Sequence, residues 1–274
     1  MGFVANHRRR SWLARFVWVS TIAAGLIWGA SANAQAGPPT VQSDTEPNAK
    51  AMMARGVEAY DAHNDSVALD IFRKAAAIGD VDAMMYLGVM YGTGRGVGRD
   101  YAVAMDWFRR AAEAGNSQAM CNIGLLYLQG DGVPKSSTEA MSWFRKAAAF
   151  GNAEAMFNVG VLYRDGLGVP VDYAGAMKWF RTADGAGDIT APNAIGVLYQ
   201  LGLGVSVDYG EAMNWYRRAA EAGSDTAMYN IGVLWESGLG VPQDREQAIA
   251  WYRKAAAAGN QPAKGALQSL GVKD

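Results

Sequence analysis

A tryptophan returns every 36 residues through most of this chain, at Trp107, Trp143, Trp179, Trp215 and Trp251. Other columns keep the same step without insertion: Gly88, Gly124, Gly160, Gly196 and Gly232; Tyr91, Tyr127, Tyr163, Tyr199 and Trp235; Gly115, Gly151, Gly187, Gly223 and Gly259. A chain with such a period builds one local structure repeatedly, and each copy hides its apolar face against the next. It is expected to fold as one stacked array, where its 274 residues would otherwise suggest two globular domains.

Each unit opens on a residue able to cap a helix: Asp80, Asn116, Asn152, Asp188, Ser224 or Asn260. Glycine precedes it every time, the left-handed stop of the helix before, so neighbouring helices run antiparallel across a tight turn. The first helix, A, places Ala119, Ile123, Gly124 and Tyr127 on one face. Gly124 inside it costs roughly 1 kcal/mol, which close approach of the second helix, B, offsets. A G-x-G-V loop follows, as in Gly166, Gly168 and Val169, and then a new cap such as Asp172 or Asp208; Ser136 with Glu139 and Asp208 with Glu211 form capping boxes. Helix B is expected to bury Ala104, Trp107, Phe108 and Ala111 on one stripe, with the tryptophans as core.

These columns, A…(L/I/V)-G-x-(L/M)-Y-x-x-G-x-G-V…D-x-x-x-A-(M/I)-x-W-(F/Y)-R-(K/R)-A-A-x-x-G, closely resemble the Sel1-like repeat family, relatives of the tetratricopeptide repeat. The resemblance runs from about Asn48 to Asp274. It implies an all-α, right-handed superhelical solenoid of about six helix-pair units over residues 49–274, ending in a capping helix. It also implies binding of a protein or extended peptide, without catalysis. Some periplasmic members hold a sensor or assembly system in check, which is the specific role expected here. The alternative is a β-lactamase-like or cell-wall-related hydrolase, as described for cysteine-rich relatives. Those relatives carry paired cysteines, whereas this chain has one, Cys121, and no Ser or Thr followed three residues later by Lys.

Arg8, Arg9, Arg10 and Arg15 precede an apolar run from Phe16 to Gly29 and then Ser31-Ala32-Asn33-Ala34. This is the pattern of a cleavable signal peptide over residues 1–34, too short for a membrane span. It predicts a periplasmic or secreted protein, with general secretion favoured over the twin-arginine route because Arg8 departs from the latter's preference. Residues 35–48, with Pro38, Pro39 and Pro47, read as a flexible lead-in. Removing residues 1–34 takes four arginines and no acid, leaving 21 basic against 26 acidic residues, a balance that disfavours nucleic acid.

Gly92, Gly94, Gly96 and Gly98 follow a helix and lack the Lys-Ser/Thr of a phosphate loop. His63 is the one histidine beyond the leader, so no zinc cluster or histidine triad is expected, and no cofactor. The arginine column Arg73, Arg109, Arg145, Arg181, Arg217 and Arg253 is expected to lie over the packed face and pair with acids. Between Arg181 and Asn193 the pattern weakens, and Pro192 predicts a helix A starting late, near Thr190 or Ala191.

With the core face turned inward, a 100° step leaves the opposite side of helix A for a partner. Its columns are Val89, Leu125, Val161, Val197 and Val233; Met85, Cys121, Phe157, Asn193 and Tyr229; and Tyr86, Asn122, Asn158, Ala194 and Asn230. The expected partner-binding residues are Met85, Tyr86, Cys121, Asn122, Leu125, Phe157, Asn158, Val161, Tyr229 and Asn230. Asn amides would pair an extended backbone while Phe157 and Tyr229 take its side chains; alternatively Val and Asn pack one helix A against the next.

Overall fold

The structure, a computed structural model, describes residues 46–272, with side chains from Ala49 onward. The signal-peptide expectation lies outside the described residues. Among those residues are thirteen α-helices and no strand. Six pairs follow one another: α1 (Glu46–Asp61) with α2 (Asp65–Ala77), α3 (Val81–Thr93) with α4 (Tyr101–Glu113), and α5 (Ser117–Gln129) with α6 (Ser137–Ala149). Then come α7 (Ala153–Asp165) with α8 (Tyr173–Gly185), α9 (Ala191–Leu201) with α10 (Tyr209–Glu221), and α11 (Asp225–Ser237) with α12 (Arg245–Ala257), closed by the single helix α13 (Gln261–Ser269). Each helix packs on the ones before and after it, and α3 also touches α5, so the chain is an all-α solenoid with the odd-numbered A helices side by side. α1 begins at Glu46, inside the stretch expected as lead-in.

One contact sets the register of every pair. A Cβ built on Gly124 would lie 2.6 Å from the ring of Phe144, and the same meeting recurs at Gly88 with Phe108 and Gly160 with Phe180. It continues at Gly196 with Tyr216 and Gly232 with Tyr252. The aromatic side chain after the tryptophan is therefore the buried one; Phe144 and Phe180 have no exposed surface. The tryptophans are not the core of the pair, contrary to expectation. They are half-buried at its edge, and four of the five have a cation over the ring from the next turn, Arg110 on Trp107 (4.9 Å), Lys146 on Trp143 (4.2 Å), Arg218 on Trp215 (5.5 Å) and Lys254 on Trp251 (4.2 Å), while Trp179 has Thr182 at that position. An indole is large enough to pack one edge and present the other to a cation.

In the last two pairs the buried ring is tyrosine, whose hydroxyl needs an acceptor in the interior. Tyr216 donates to Gln200 Oε1 and Tyr252 to Glu236 Oε2, both at 2.5 Å. Phe-containing pairs have Gly92, Leu128 and Arg164 at the position of Gln200 and Glu236. Burial, first of all, raises both phenols well above their ordinary range.

The two loop glycines have separate tasks. Gly130 (φ +84°) ends α5 in the left-handed region, and Gly132 (φ +71°) lays the loop on the start of the preceding helix B, where a Cβ would come within 2.5 Å of Tyr101 Cβ. The arginine column does not pair with acids as expected. Arg73, Arg145 and Arg181 reach forward to the hydroxyls of Tyr91 (2.7 Å), Tyr163 (2.5 Å) and Tyr199 (3.0 Å), tying each helix B to the next helix A.

The ends differ from the middle. Between α1 and α2, His63 takes the left-handed conformation (φ 58°), and buried Arg95 reaches into that corner, donating to Asp65 Oδ1 (2.9 Å) and the Tyr60 carbonyl (2.6 Å). At the other end α13 buries Ala263 and Leu267 and leaves Gln261, Pro262, Gly265 and Gln268 exposed, so a polar face closes the array. In the weak stretch α9 starts at Ala191 with Pro192 in its first turn, as expected. Asp188 is not the cap residue there; its Oδ1 accepts from Thr190 N, Thr190 Oγ1 and Ala191 N.

Candidate partner-binding face

The A helices bury the third, seventh, eighth and tenth residues after each cap, as Ala119, Ile123, Gly124 and Leu126 do in α5. At 100° per residue the second, ninth and thirteenth point the opposite way. Val89, Leu125, Val161, Val197 and Val233 form the ninth-position column, and all five are partly buried, packed against the core on one side with part of each side chain open to water.

The flanking columns mix open and consumed side chains. Tyr86 stacks on Phe72 (4.7 Å, 12°) and meets Tyr60 edge-on (5.5 Å), Phe157 leans on Phe180 (5.4 Å) and Tyr229 on Tyr252 (5.5 Å). Each of these rings is anchored in the core and keeps part of its surface outward, as do Met85 and Val161. Cys121 is a correction: it has no exposed surface, so it packs beneath the face and touches no partner. Burial pushes its thiol well up, helped by the charges of Glu154 and Asp188.

The Asn amides divide. Asn230 Nδ2 donates to Asn193 Oδ1 (3.0 Å) on the adjacent A helix, and Asn158 Nδ2 lies 3.9 Å from Cys121 Sγ. These two help to pack A against A, and each amide keeps hydrogen-bonding capacity beyond that contact. Asn122 makes no side-chain hydrogen bond among the described residues and is half-exposed beside the Leu125 column. Asn193 itself is buried.

Sequence reasoning missed a polar ladder at one edge of this face. Asn116 caps α5 through Oδ1 while its Nδ2 donates to Asp82 Oδ1 (3.0 Å) in the preceding unit. Asn152 likewise caps α7 and donates to Gln118 Oε1 (3.1 Å), and Gln118 Nε2 passes on to Glu154 Oε2 (2.9 Å). Asn260 repeats the link to Asp225 Oδ2 (3.2 Å). The signal was an Asn cap, with two hydrogen-bonding ends, in company with polar second positions at Asp82, Gln118 and Glu154. Glu154 has its carboxyl raised by burial, against the lowering effect of the Gln118 hydrogen bond and with a further push from Asp188.

The Sel1 repeat profile matches residues 81–116, 117–152, 153–183, 193–224 and 225–260. The chain belongs to the Sel1 repeat family. The gap in the matches, 184–192, coincides with the turn where α9 starts late. Among solved structures, a Sel1 repeat protein from Oxalobacter formigenes is 36% identical with a TM-score of 0.74, over 79% of this chain and 89% of that one. The protective antigen c5321 of uropathogenic Escherichia coli is 32% identical with a TM-score of 0.67; the match covers 82% of this chain and half (50%) of that one. Immunity protein Pa5087 of Pseudomonas aeruginosa, 21% identical with a TM-score of 0.55 over 82% of this chain and 86% of that one, shares the fold. Comparison with curated proteins gives no match. Sel1 repeats are scaffolds typical of protein–protein interaction and generally non-catalytic. Among the described residues no helix is long and apolar enough to cross a membrane.

Proposed function

We propose that this Sel1 repeat protein is an exported, non-catalytic adaptor whose A helices line the inner curve of the solenoid and hold an extended segment of a partner protein. The observation that carries it is the half-exposed Val and Leu column, Val89 to Val233, running across five A helices between partly open aromatic rings. An apolar strip continuous across units suits a chain that runs along the array, with anchors such as Phe157 and Tyr229 at its margin. The arginine-rich start, apolar run and Ala32-Asn33-Ala34 site support export to the periplasm, where the adaptor would restrain a sensor or an assembly system.

Replacing Leu125 and Val161 together by Arg puts two charges in the strip while leaving the buried positions intact. The tagged double variant should lose the partner that co-purifies with the parent protein, and Ser142→Arg on the outer side of α6 should keep it. Equal capture by both would overturn the assignment of the face. N-terminal sequencing of the exported protein should begin at Gln35.

A further inference from the structure

The face just described also carries charge, and the charge is not spread evenly. In the five repeats from α3 to α11 the A helices hold five carboxylates, Asp82, Glu154, Asp165, Asp225 and Glu236, against one cation, Arg164. Arg164 is clamped on Asp165 by two hydrogen bonds, 2.7 and 2.8 Å. The B helices expose both signs, Arg109, Arg110, Arg145 and Lys146 together with Asp106, Glu113 and Glu139 on α4 and α6, without the acidic bias of the A helices.

Two of these carboxylates share one position: Asp82 and Glu154 are the second residues after the caps of the second and fourth units, counting pairs from α1–α2, while Asp225 and Glu236 of the sixth stand at its first and twelfth positions. The third unit has Gln118 and Gln129 at the matching second and thirteenth positions, and the fifth has Thr190, with Gln200 at the position of Glu236. Burial raises the phenols of Tyr86 and Tyr229, and nearby acids add to it, Asp61 and Asp82 at Tyr86 and Glu236 at Tyr229.

We propose that the segment held by the helix A face is basic, with Lys or Arg side chains about six residues apart meeting Asp82 and Glu154 in the first turns of α3 and α7. The spacing follows from packing. Neighbouring helices lie about 8–10 Å apart, so two units span roughly 16–20 Å, which an extended chain rising about 3.3 Å per residue covers in about five or six residues. Between the cations its apolar side chains reach the Val and Leu column. The B face, with cations and acids side by side, offers no such acidic bias, so charge favours the A side.

This inference rests on the proposed function, and peptide binding separates the two. The probes are fluorescein-labelled peptides of about 15 residues, otherwise Val, Ser and Asn, with two Lys spaced six apart, or Gln or Glu in their place. Fluorescence anisotropy with the purified protein should rank Lys over Gln over Glu, with Lys about tenfold tighter than Gln, and the difference should shrink in high salt. The variant Asp82→Asn/Glu154→Gln/Glu236→Gln keeps acceptors for Asn116, Gln118 and Tyr252; with parental helicity by circular dichroism and melting no lower than the parent's, it should bind the Lys and Gln peptides alike. Equal binding of all three peptides by the parent overturns the charge inference and leaves the groove standing. Binding of none overturns the groove, and the inference with it. Lys peptides clustered at adjacent positions that bind as well as the spaced ones overturn the spacing.

Discussion

Gly124→Ala sets two terms against each other. Alanine is the better helix former by about 1 kcal/mol, so a helix interior without constraint would gain. Here the new methyl would stand 2.6, 2.7 and 3.1 Å from Cε1, Cδ1 and Cζ of Phe144, a ring with no exposed surface and no room to withdraw. Overpacking of that kind costs about 1–3 kcal/mol, so the net change should be a loss of up to about 2 kcal/mol. Phe144→Leu in the same chain should make Gly124→Ala less costly or favourable, because the obstructing ring edge is gone. Gly151→Ala is the control: its φ is +81° and nothing lies within 4 Å, so its cost of about 1–2 kcal/mol is backbone strain, which Phe144→Leu should not relieve. Urea titration followed by circular dichroism gives the balance, and native-state hydrogen exchange shows whether the loss is confined to α5 and α6 and their neighbours. Stabilisation by Gly124→Ala alone, or equal rescue of both alanine variants, would refute the packing account.

Phe144→Ala should cost roughly 3–5 kcal/mol and Trp143→Ala about half as much, since the indole is only half-buried; denaturant melts that reverse the order would contradict the placement of the two rings. Glu154 has a folded-state carboxyl raised above its ordinary value of 4.5, so its favourable contribution exists below that value and is lost as pH rises through the folded one. Thermal melts should therefore show Glu154→Gln more stable than the parent at pH 7 and no different near about pH 3, whereas a less stable variant at pH 7 would show the charge to be favourably paired. Limited proteolysis of the repeats should cut first within 182–193, where Gly185, Ala186, Gly187 and Ile189 are exposed, and a first cut elsewhere in the repeats would count against a weak joint.

The repeat made the fold legible because each element is written five times over: cap, glycine stop and G-x-G-V loop recur at fixed spacing, and the helix bounds follow from them. The late start of α9 was readable from Pro192 alone. Misjudged was the partition between adjacent aromatics. Trp143 and Phe144 sit one residue apart, and periodicity near 3.6 does not decide which of two large neighbours occupies the centre of a pair; the glycine twenty residues earlier does, once the geometry is known. The arginine column was misread for a related reason, since its tyrosine partners lie eighteen residues on, in the next unit. On the A face, a period of 100° placed the Val and Leu column away from the centre of the pair, where each side chain is partly buried against the core and partly open to water. It could not show that Cys121, only 40° from that column, is sealed by the neighbouring A helix, because burial there depends on how closely the helices stack.

Site-specific photo-crosslinking tests the central claim most directly. A photoreactive phenylalanine analogue is placed at Val161 on the A face, or at Ser142 on the outer side of α6, in the full chain expressed in its own cells. Irradiation should give a discrete adduct from position 161, competed by a peptide that binds the groove, and none from position 142. An adduct from position 142 with none from 161 would mean that the partner sits on the B helices and that the A face serves only to pack the solenoid.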